Sequence, residues 1–235
     1  MFVKFGNLRQ QEYHGIQEMA AFRLHQDVMV MLEPYIRKGI EALDFGCGQG
    51  AFSQRLIDAG MIVDGCDLDT GQIKAAVRNR YELDLNKQSI TDSIPVKYDM
   101  IVAMEIIEHL QNPWKYLSDS IALLKDGGLI VLSTPNISNF ISRLRFFMRG
   151  SLLAFEKNDL AHGHITPLSF IQLENMFEFY KLEILKKGFA GPVPVFHFYG
   201  VSRFTLLRNT ILPLLYPFMS GPKRGRALVY ILRKT

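Results

Sequence analysis

The chain is 235 residues long, 48% hydrophobic and 21% charged, with a formal net charge of +4. That length accommodates an α/β domain with a core of its own, and the composition excludes disordered, collagenous and coiled-coil chains. The mild charge falls short of a nucleic-acid signature, and the two cysteines, Cys47 and Cys66, exclude a disulfide framework and point to a reducing, cytoplasmic setting.

The opening MFVKFGNLRQQEYHG lacks the apolar run of a secretory signal, so export is not expected. Residues 16–37 carry apolar side chains at helical spacing with Pro34 late in the run, which predicts one or two leading helices. EALDF (41–45) reads as a strand, followed by Gly46, Gly48 and Gly50 and then a helix over AFSQRLIDAG. MIVDGCDLD (61–69) reads as a second strand, TGQIKAAVRNR as a second helix and YELDLNK as a third strand, an alternation that implies βαβ units and a parallel sheet. YDMIVAM (98–104) is the fourth strand, a helix runs from about Asn112 to Leu124, and Gly127-Gly128 turns the chain into a fifth strand, LIVLST. The core then ends near Asn136, and the less regular 137–166 sits where an insertion would cap a site. PLSFIQLENMFEFYK is helical by its spacing, and LEILKKG and RALVYILRK are two last strands around an apolar, proline-containing excursion at 192–222. The expected architecture is α/β and doubly wound, with a mostly parallel seven-stranded sheet in a single domain over 1–235. Its parts are leading helices (1–39), a core (40–136), the cap (137–166) and a C-terminal part (167–235).

Glycines at a strand-to-helix turn let a ligand touch the backbone, because they carry no Cβ and the helix N–H groups point outward. Gly46, Gly48 and Ala51 also satisfy G-x-G-x-x-G/A, which leaves a nicotinamide or flavin enzyme open. Asp44, two residues before the first glycine, would repel a pyrophosphate and attract an ammonium or a sulfonium, so a zwitterionic ligand suits the turn better. Asp67, at the end of the second strand, can accept both hydroxyls of a ribose, whereas Asp69 would face the other way. The bland alternative is a tight turn in which Asp44 merely caps the following helix.

Together, LDFGCGQG with CDLD, YDMIVAMEIIEHL and LLKDGGLIVLSTPN resemble the class I S-adenosylmethionine-dependent methyltransferases. Within them the chain is most similar to the branch of ubiquinone-pathway O-methyltransferases and sugar or lipid methyltransferases, over roughly 40–136 and less surely at Arg23 and the tail. The resemblance implies a Rossmann-like methyltransferase fold and S-adenosylmethionine as cofactor. It implies Gly46 at the cofactor's methionine part, Asp67 at its ribose, Leu68 among the cofactor-binding residues, Met104 bordering the site and Arg23 near the carboxylate. Asp44, Gly48 and Gly50 complete the binding turn.

If a helical turn starts after the fourth strand, Glu105, Glu108 and His109 fall at i, i+3 and i+4 and share a face. Such a set could hold a hard divalent ion. The same E-x-x-E-H occurs in the ubiquinone-pathway enzymes and in small-RNA 2′-O-methyltransferases, where it is associated with a magnesium-type metal, so the resemblance implies Mg2+ at Glu105, Glu108 and His109. Other relatives carry the same letters as helix-start residues and site wall. Methyl transfer to an alcohol needs alignment and either a base or a metal. His109, His164 and His162 are the candidate bases, the last two turning back from the cap. Their alternative is a polar loop in which Thr166 caps the next helix at Pro167. His197, among aromatics, is expected to be packed.

Arg143, Arg145 and Arg149, interleaved with Phe146 and Phe147, could bind an acidic headgroup or form a solvated face over a core stripe. The apolar stretch from Phe204 to Met219, interrupted by Arg208, Pro213 and Pro217, is too broken to span a membrane. With Lys223, Arg224 and Arg226 it suits peripheral membrane contact through 204–226, at the inner face, or a pocket wall. Both readings favour an apolar or lipid-linked acceptor over a free polar metabolite, and the leading expectation is O-methylation of a hydroxyl on a small or lipid-linked molecule, such as a saccharide on a lipid carrier or a polyprenyl phenol. The alternatives are an RNA 2′-O-methyltransferase, against which the modest charge argues, a non-catalytic cofactor-binding module and a dehydrogenase.

Overall fold

The computed structural model describes residues 11–191, 210, 214 and 225–235. His197, Lys223, Arg224 and nearly all of the 192–222 excursion lie outside the described residues.

A small hairpin of β1 (Glu12–Tyr13) and β2 (Ile16–Gln17) precedes α1 (Leu24–Leu32). The helix expected from residue 16 therefore starts only at Leu24. His14 and Gly15, at φ 51° and 74°, make the hairpin turn, and Arg23, at φ 63°, is left-handed and cannot extend α1 backward. Pro34 lies in a 3₁₀ turn, Glu33–Tyr35, that closes α1.

Then follow β3 (Glu41–Phe45), α2 (Ala51–Asp58), β4 (Ile62–Asp67), β5 (Arg80–Glu82), a one-turn α3 (Ile90–Ser93) and β6 (Tyr98–Met104). The chain continues through α4 (Pro113–Ala122), β7 (Leu124–Pro135), α5 (Phe140–Arg149), α6 (Lys157–Ala161), α7 (Phe170–Phe179), β8 (Leu182–Ala190) and β9 (Ala227–Lys234). Seven strands form one sheet in the order β5-β4-β3-β6-β7-β9-β8. It is parallel from β5 to β7, and β9 runs antiparallel to both β7 and β8. The winding reverses between β3 and β6, so a crevice opens at their carboxyl ends.

The strands read as continuous apolar runs because both sheet faces are covered. Leu43, Phe45, Ile101 and Ala103 pack on one face against Tyr116 and Leu117 of α4 and Phe177 of α7. Ala42, Met100 and Val102 pack on the other against Leu24 and Val28 of α1 and Phe52 and Leu56 of α2.

The helix expected over 70–80 is absent apart from a 3₁₀ turn at Thr70–Gln72. Its backbone donors are taken by other elements: the N–H groups of Lys74 and Ala75 reach the Gln49 carbonyl, and Arg78 N–H the Val63 carbonyl. Ile73 and Ala75 are buried there against Ala51 and Ile16. Capping also differs from expectation before α7, where Ser169 and Gln172 form a reciprocal capping box. Thr166 instead donates from Oγ1 to the Leu110 carbonyl at 2.5 Å. Among the described residues no helix is long and apolar enough to cross a membrane.

Candidate functional site

The turn after β3 is held open by its own backbone. The N–H groups of Gly46 and Cys47 both donate to the Cys66 carbonyl of β4, at 2.7 and 3.1 Å. Gly46, at φ 63°, would place a Cβ 1.8 Å from Ile106 Cδ1, and Gly50, at φ 88°, would place one 2.5 Å from the Ala75 side chain. Both positions therefore demand glycine. Asp44 is buried on the α2 side and accepts from Ser53 Oγ at 2.6 Å. Burial pushes its carboxyl up to about 7 against that hydrogen bond, and the charge of Asp67 adds to the rise. At the end of β4, Asp67 Oδ2 accepts from Gly48 N–H at 2.7 Å, while Oδ1 accepts from Gln72 Nε2 at 3.1 Å and Asp69 N–H at 3.2 Å. Asp69 accepts from the Gly71 N–H at 2.9 Å. Leu68 is exposed beside Asp67.

A narrow cleft over the turn is lined by Asp44, Gly46, Gly48 and Met104 together with Met19, Ala20 and His25. Arg23 lines neither this cleft nor its neighbour; its side chain is exposed and lies 3.9 Å from Asp27. Two residues on, His25 is buried and faces the cleft. Its Nδ1 lies 3.9 Å from Oε1 of Glu18, which is ion-paired with Arg55 of α2. Sequence reasoning passed over Ser53, Glu18, His25 and Arg55. The one available signal was that His25, Val28 and Leu32 share a helical stripe.

Beyond β6 the expected helical turn does not form at Glu105. That residue is left-handed at φ 56°, and only Ile107–His109 make a 3₁₀ turn. Such backbone strain at a strand's carboxyl end is a common mark of a working site. Glu105 N–H binds Ser133 Oγ at 3.0 Å, and the Ser133 hydroxyl lies 3.2 Å from Glu105 Oε1. Glu108 is fully buried and accepts from Thr134 Oγ1 at 3.0 Å. Burial lifts both carboxyls, and for Glu108 the charge of Glu105 adds to the rise.

Instead of the Glu105, Glu108 and His109 set, the structure brings together Glu108, His109 and His164, with one ligand-type atom of each within 4.8 Å of the others. Two imidazoles and a single carboxyl group are a poor match for Mg2+, which takes an oxygen octahedron. The rings of His109 and His164 meet edge to face at 4.7 Å. His164 Nδ1 lies 2.8 Å from the Ala154 carbonyl, and Ala154 is itself left-handed at φ 66°. Burial, followed by the field of His164, lowers the His109 pKa. The cap is laced to this turn, since Ile165 and Thr166 N–H both donate to the Glu108 carbonyl. His162 is exposed at the end of α6 and lines neither the cleft nor its neighbour.

The cap covers a cavity of about 610 Å³ lined by Met19, Ala20, Glu105, His109, His164 and Arg226, among others. Met19 and Ala20 line the glycine cleft as well, so the two spaces adjoin. Arg145 reaches this cavity and pairs with Glu156 at 3.0 Å. The helix that carries it is inverted relative to a solvated face over a core stripe. Ser142 is buried, while Leu144, Phe147 and Met148 face outward, Phe147 at 88% exposure.

A family model described as "Methyltransferase domain" matches residues 16–187. The ubiquinone biosynthesis O-methyltransferase of Coxiella burnetii (strain RSA 493 / Nine Mile phase I) is 31% identical over 142 residues, covering 57% of this chain and 61% of that protein. The enzyme of the same name from Haemophilus ducreyi is 32% identical over 109 residues, 42% of this chain and 46% of that one. The chain thus spans less than two thirds of the length of the curated relatives it matches. Among solved structures, a methyltransferase dependent on S-adenosylmethionine from Archaeoglobus fulgidus superposes with a TM-score of 0.55 at 19% identity, covering 89% of this chain and 94% of that one. The magnesium protoporphyrin IX methyltransferase of Synechocystis PCC 6803, solved with bound S-adenosylhomocysteine, superposes with a TM-score of 0.58 at 14% identity, covering 90% and 82%. The strand order agrees with these matches: the chain belongs to the methyltransferase-domain family, with the fold of the class I S-adenosylmethionine-dependent enzymes.

Proposed function

We propose that the protein transfers the methyl group of S-adenosylmethionine to a hydroxyl of a small or lipid-linked acceptor. The observation that carries this reading is the adjoining of two spaces, the glycine cleft and a cavity that presents His109 and His164. Asp44 offers a carboxylate to the cofactor's cationic end, and Asp67 an acceptor pair to its ribose. Bound S-adenosylmethionine supplies an electrophilic methyl, to which the acceptor oxygen bonds as the sulfur–carbon bond breaks. With its Nδ1 proton held by the Ala154 carbonyl, His164 keeps a lone pair on Nε2 and takes the hydroxyl proton. His109, neutral at pH 7 because its pKa is lowered, leaves that basic nitrogen without a competing cation.

A lipid-linked acceptor is favoured by α5, whose outward Leu144, Phe147 and Met148 stand beside Arg143 and Arg149 on the helix that also reaches the cavity through Arg145. Apolar bulk flanked by arginine suits an anionic membrane surface. The same reading keeps the protein in the reducing cytoplasm, consistent with free Cys47 and Cys66.

The test is transfer of labelled methyl from S-adenosylmethionine into a cell extract separated into lipid, RNA and aqueous fractions. Label is expected in the lipid fraction and insensitive to chelator. His164→Ala should lower transfer by about 10²-fold or more while leaving S-adenosylhomocysteine affinity unchanged. Label confined to RNA would overturn the acceptor, and full activity of His164→Ala would overturn the base.

A further inference from the structure

Arg226 is the residue before β9, and the fold fixes its backbone from three sides. Its N–H is shared between the carbonyls of Ala190 and Gly191, at 2.8 and 3.0 Å, and its own carbonyl accepts from Asn136 N–H at 2.8 Å. Gly191 and Gly225, at φ 69° and 76°, let the ends of β8 and β9 close on one another; a Cβ on Gly225 would stand 2.5 Å from that of Phe189. Because Ala227 pairs with Pro135, this clamp lies at the carboxyl end of β7, next to the end of β6 that leads into Glu105. Arg226 lines the large cavity together with Glu105 and His164, and its charge is felt at Glu105.

The chain does not neutralise this cation. Among the described residues no carboxylate is ion-paired with Arg226, and residues 1–10 and 192–224 contain no aspartate or glutamate that could be. The carboxyls on the cavity wall are engaged elsewhere: Glu18 with Arg55, Glu156 with Arg145, Asp159 with the Glu156 N–H at 2.9 Å and Glu105 with the Ser133 hydroxyl at 3.2 Å. Arg145, the other guanidinium of the wall, is thus matched, and Arg226 is not. A neutral acceptor filling the cavity would strip water from Arg226 and return nothing, whereas an anionic group offsets that loss with charge-assisted hydrogen bonds. The planar guanidinium fork matches the oxygens of a phosphate or a carboxylate, and a backbone already clamped gives up little freedom on binding.

Building on the transfer reading above, we propose that Arg226 seats an anionic group of the methyl acceptor, a phosphate or a carboxylate. The acceptor then carries two recognition elements in one cavity, a hydroxyl presented to His164 and an anion held by Arg226. Arg226 is in this way a specificity-determining residue: it selects among hydroxyl compounds those that bear such a group, and an uncharged one is a poor substrate.

The experiment takes the methyl-labelled product that the full chain forms in the lipid or aqueous fraction of a cell extract and passes it over an anion exchanger. The product is expected to be retained. Cleavage of phosphate esters separates the two sources, since it removes the charge from a phosphate-bearing product and leaves a carboxylate-bearing one retained. With the same fraction as acceptor, Arg226→Gln should raise KM by about tenfold or more and leave kcat within about threefold. Arg226→Lys, which keeps the charge but not the fork, should recover part of the loss. Affinity for S-adenosylhomocysteine within about twofold of wild type shows that each variant is folded. A labelled product that passes the exchanger uncharged, or a KM in Arg226→Gln equal to that of wild type, overturns the seat while leaving methyl transfer intact. Absence of label from both fractions overturns the small or lipid-linked acceptor itself, and the seat with it.

Discussion

Asp44 shows how much one carboxyl's surroundings govern binding. Its burial, with Ser53 as hydroxyl donor, pushes the carboxyl up to about 7 from its ordinary value near 4. An ammonium or sulfonium beside it favours the ionised form, so the pKa in the complex is lower than in the free protein. Below pH 7 a proton must therefore leave before the ligand binds well, and above it none need leave. S-adenosylhomocysteine affinity is expected to fall by up to about tenfold for each pH unit below 7 and to level off above it. Asp44→Asn should give a flat, weaker profile, and calorimetry across this range checks both. Asp44 and Asp67 were legible in the sequence because a strand end and a glycine turn place both carboxyls within a few residues of one stretch of open backbone. His25 was not, because which side of α1 faces the cleft depends on where that helix starts, and the hairpin at 12–17 moves the start to Leu24.

Among the elements, the segment between β4 and β5 departs furthest from its pattern. Instead of a helix it is an extended strap, tied down by Asp64 in the middle of β4. That buried carboxylate accepts two bonds from the Arg78 guanidinium, Nε and Nη2, both at 2.8 Å. It also accepts from Tyr98 Oη at 2.8 Å and from the Asn79 N–H at 3.0 Å. Burial works to raise its pKa, but Arg78, Tyr98 and Asn79 outweigh that and keep the carboxyl below its ordinary range. Asp64→Ala strands the buried Tyr98 hydroxyl and leaves the Arg78 guanidinium with Glu41 alone, at 2.6 Å, so it should lower stability by about 1–3 kcal/mol. Urea unfolding measures the loss; a midpoint unchanged from wild type would show that the strap is held by its apolar residues alone. The periodicity of Ile73, Ala75, Ala76 and Val77 suits a helix, and no local signal announces that Asp64 and Gln49 will claim the backbone of the strap.

Over the whole molecule, the cap joins chemistry to access. It brings His164 across to His109 and leaves α5 with its apolar side turned out. If that side rests on a membrane, Phe147→Glu should weaken sedimentation with anionic vesicles by about tenfold while neutral vesicles are bound poorly by both forms. Methyl transfer to a water-soluble acceptor should be unaffected by the same change. Equal vesicle binding of the two forms would remove α5 from the interface.

The doubly wound sheet, the glycine turn and the family were readable from the order of residues, because each is announced by a pattern local to a strand or a turn, even though the strands themselves pair across long separations, as Ala42 does with Met100. Alternating apolar runs, three glycines and two acids act within a turn or a strand. Folding settled what depends on residues far apart in sequence. His164 meets Glu108 and His109 because the cap returns by more than fifty residues, and Glu105 leaves them because its backbone turns left-handed toward Ser133. Glu18, His25 and Arg55 converge from the link after β2, from α1 and from α2. Distance between side chains is set by how the layers pack, and no spacing along the chain encodes it.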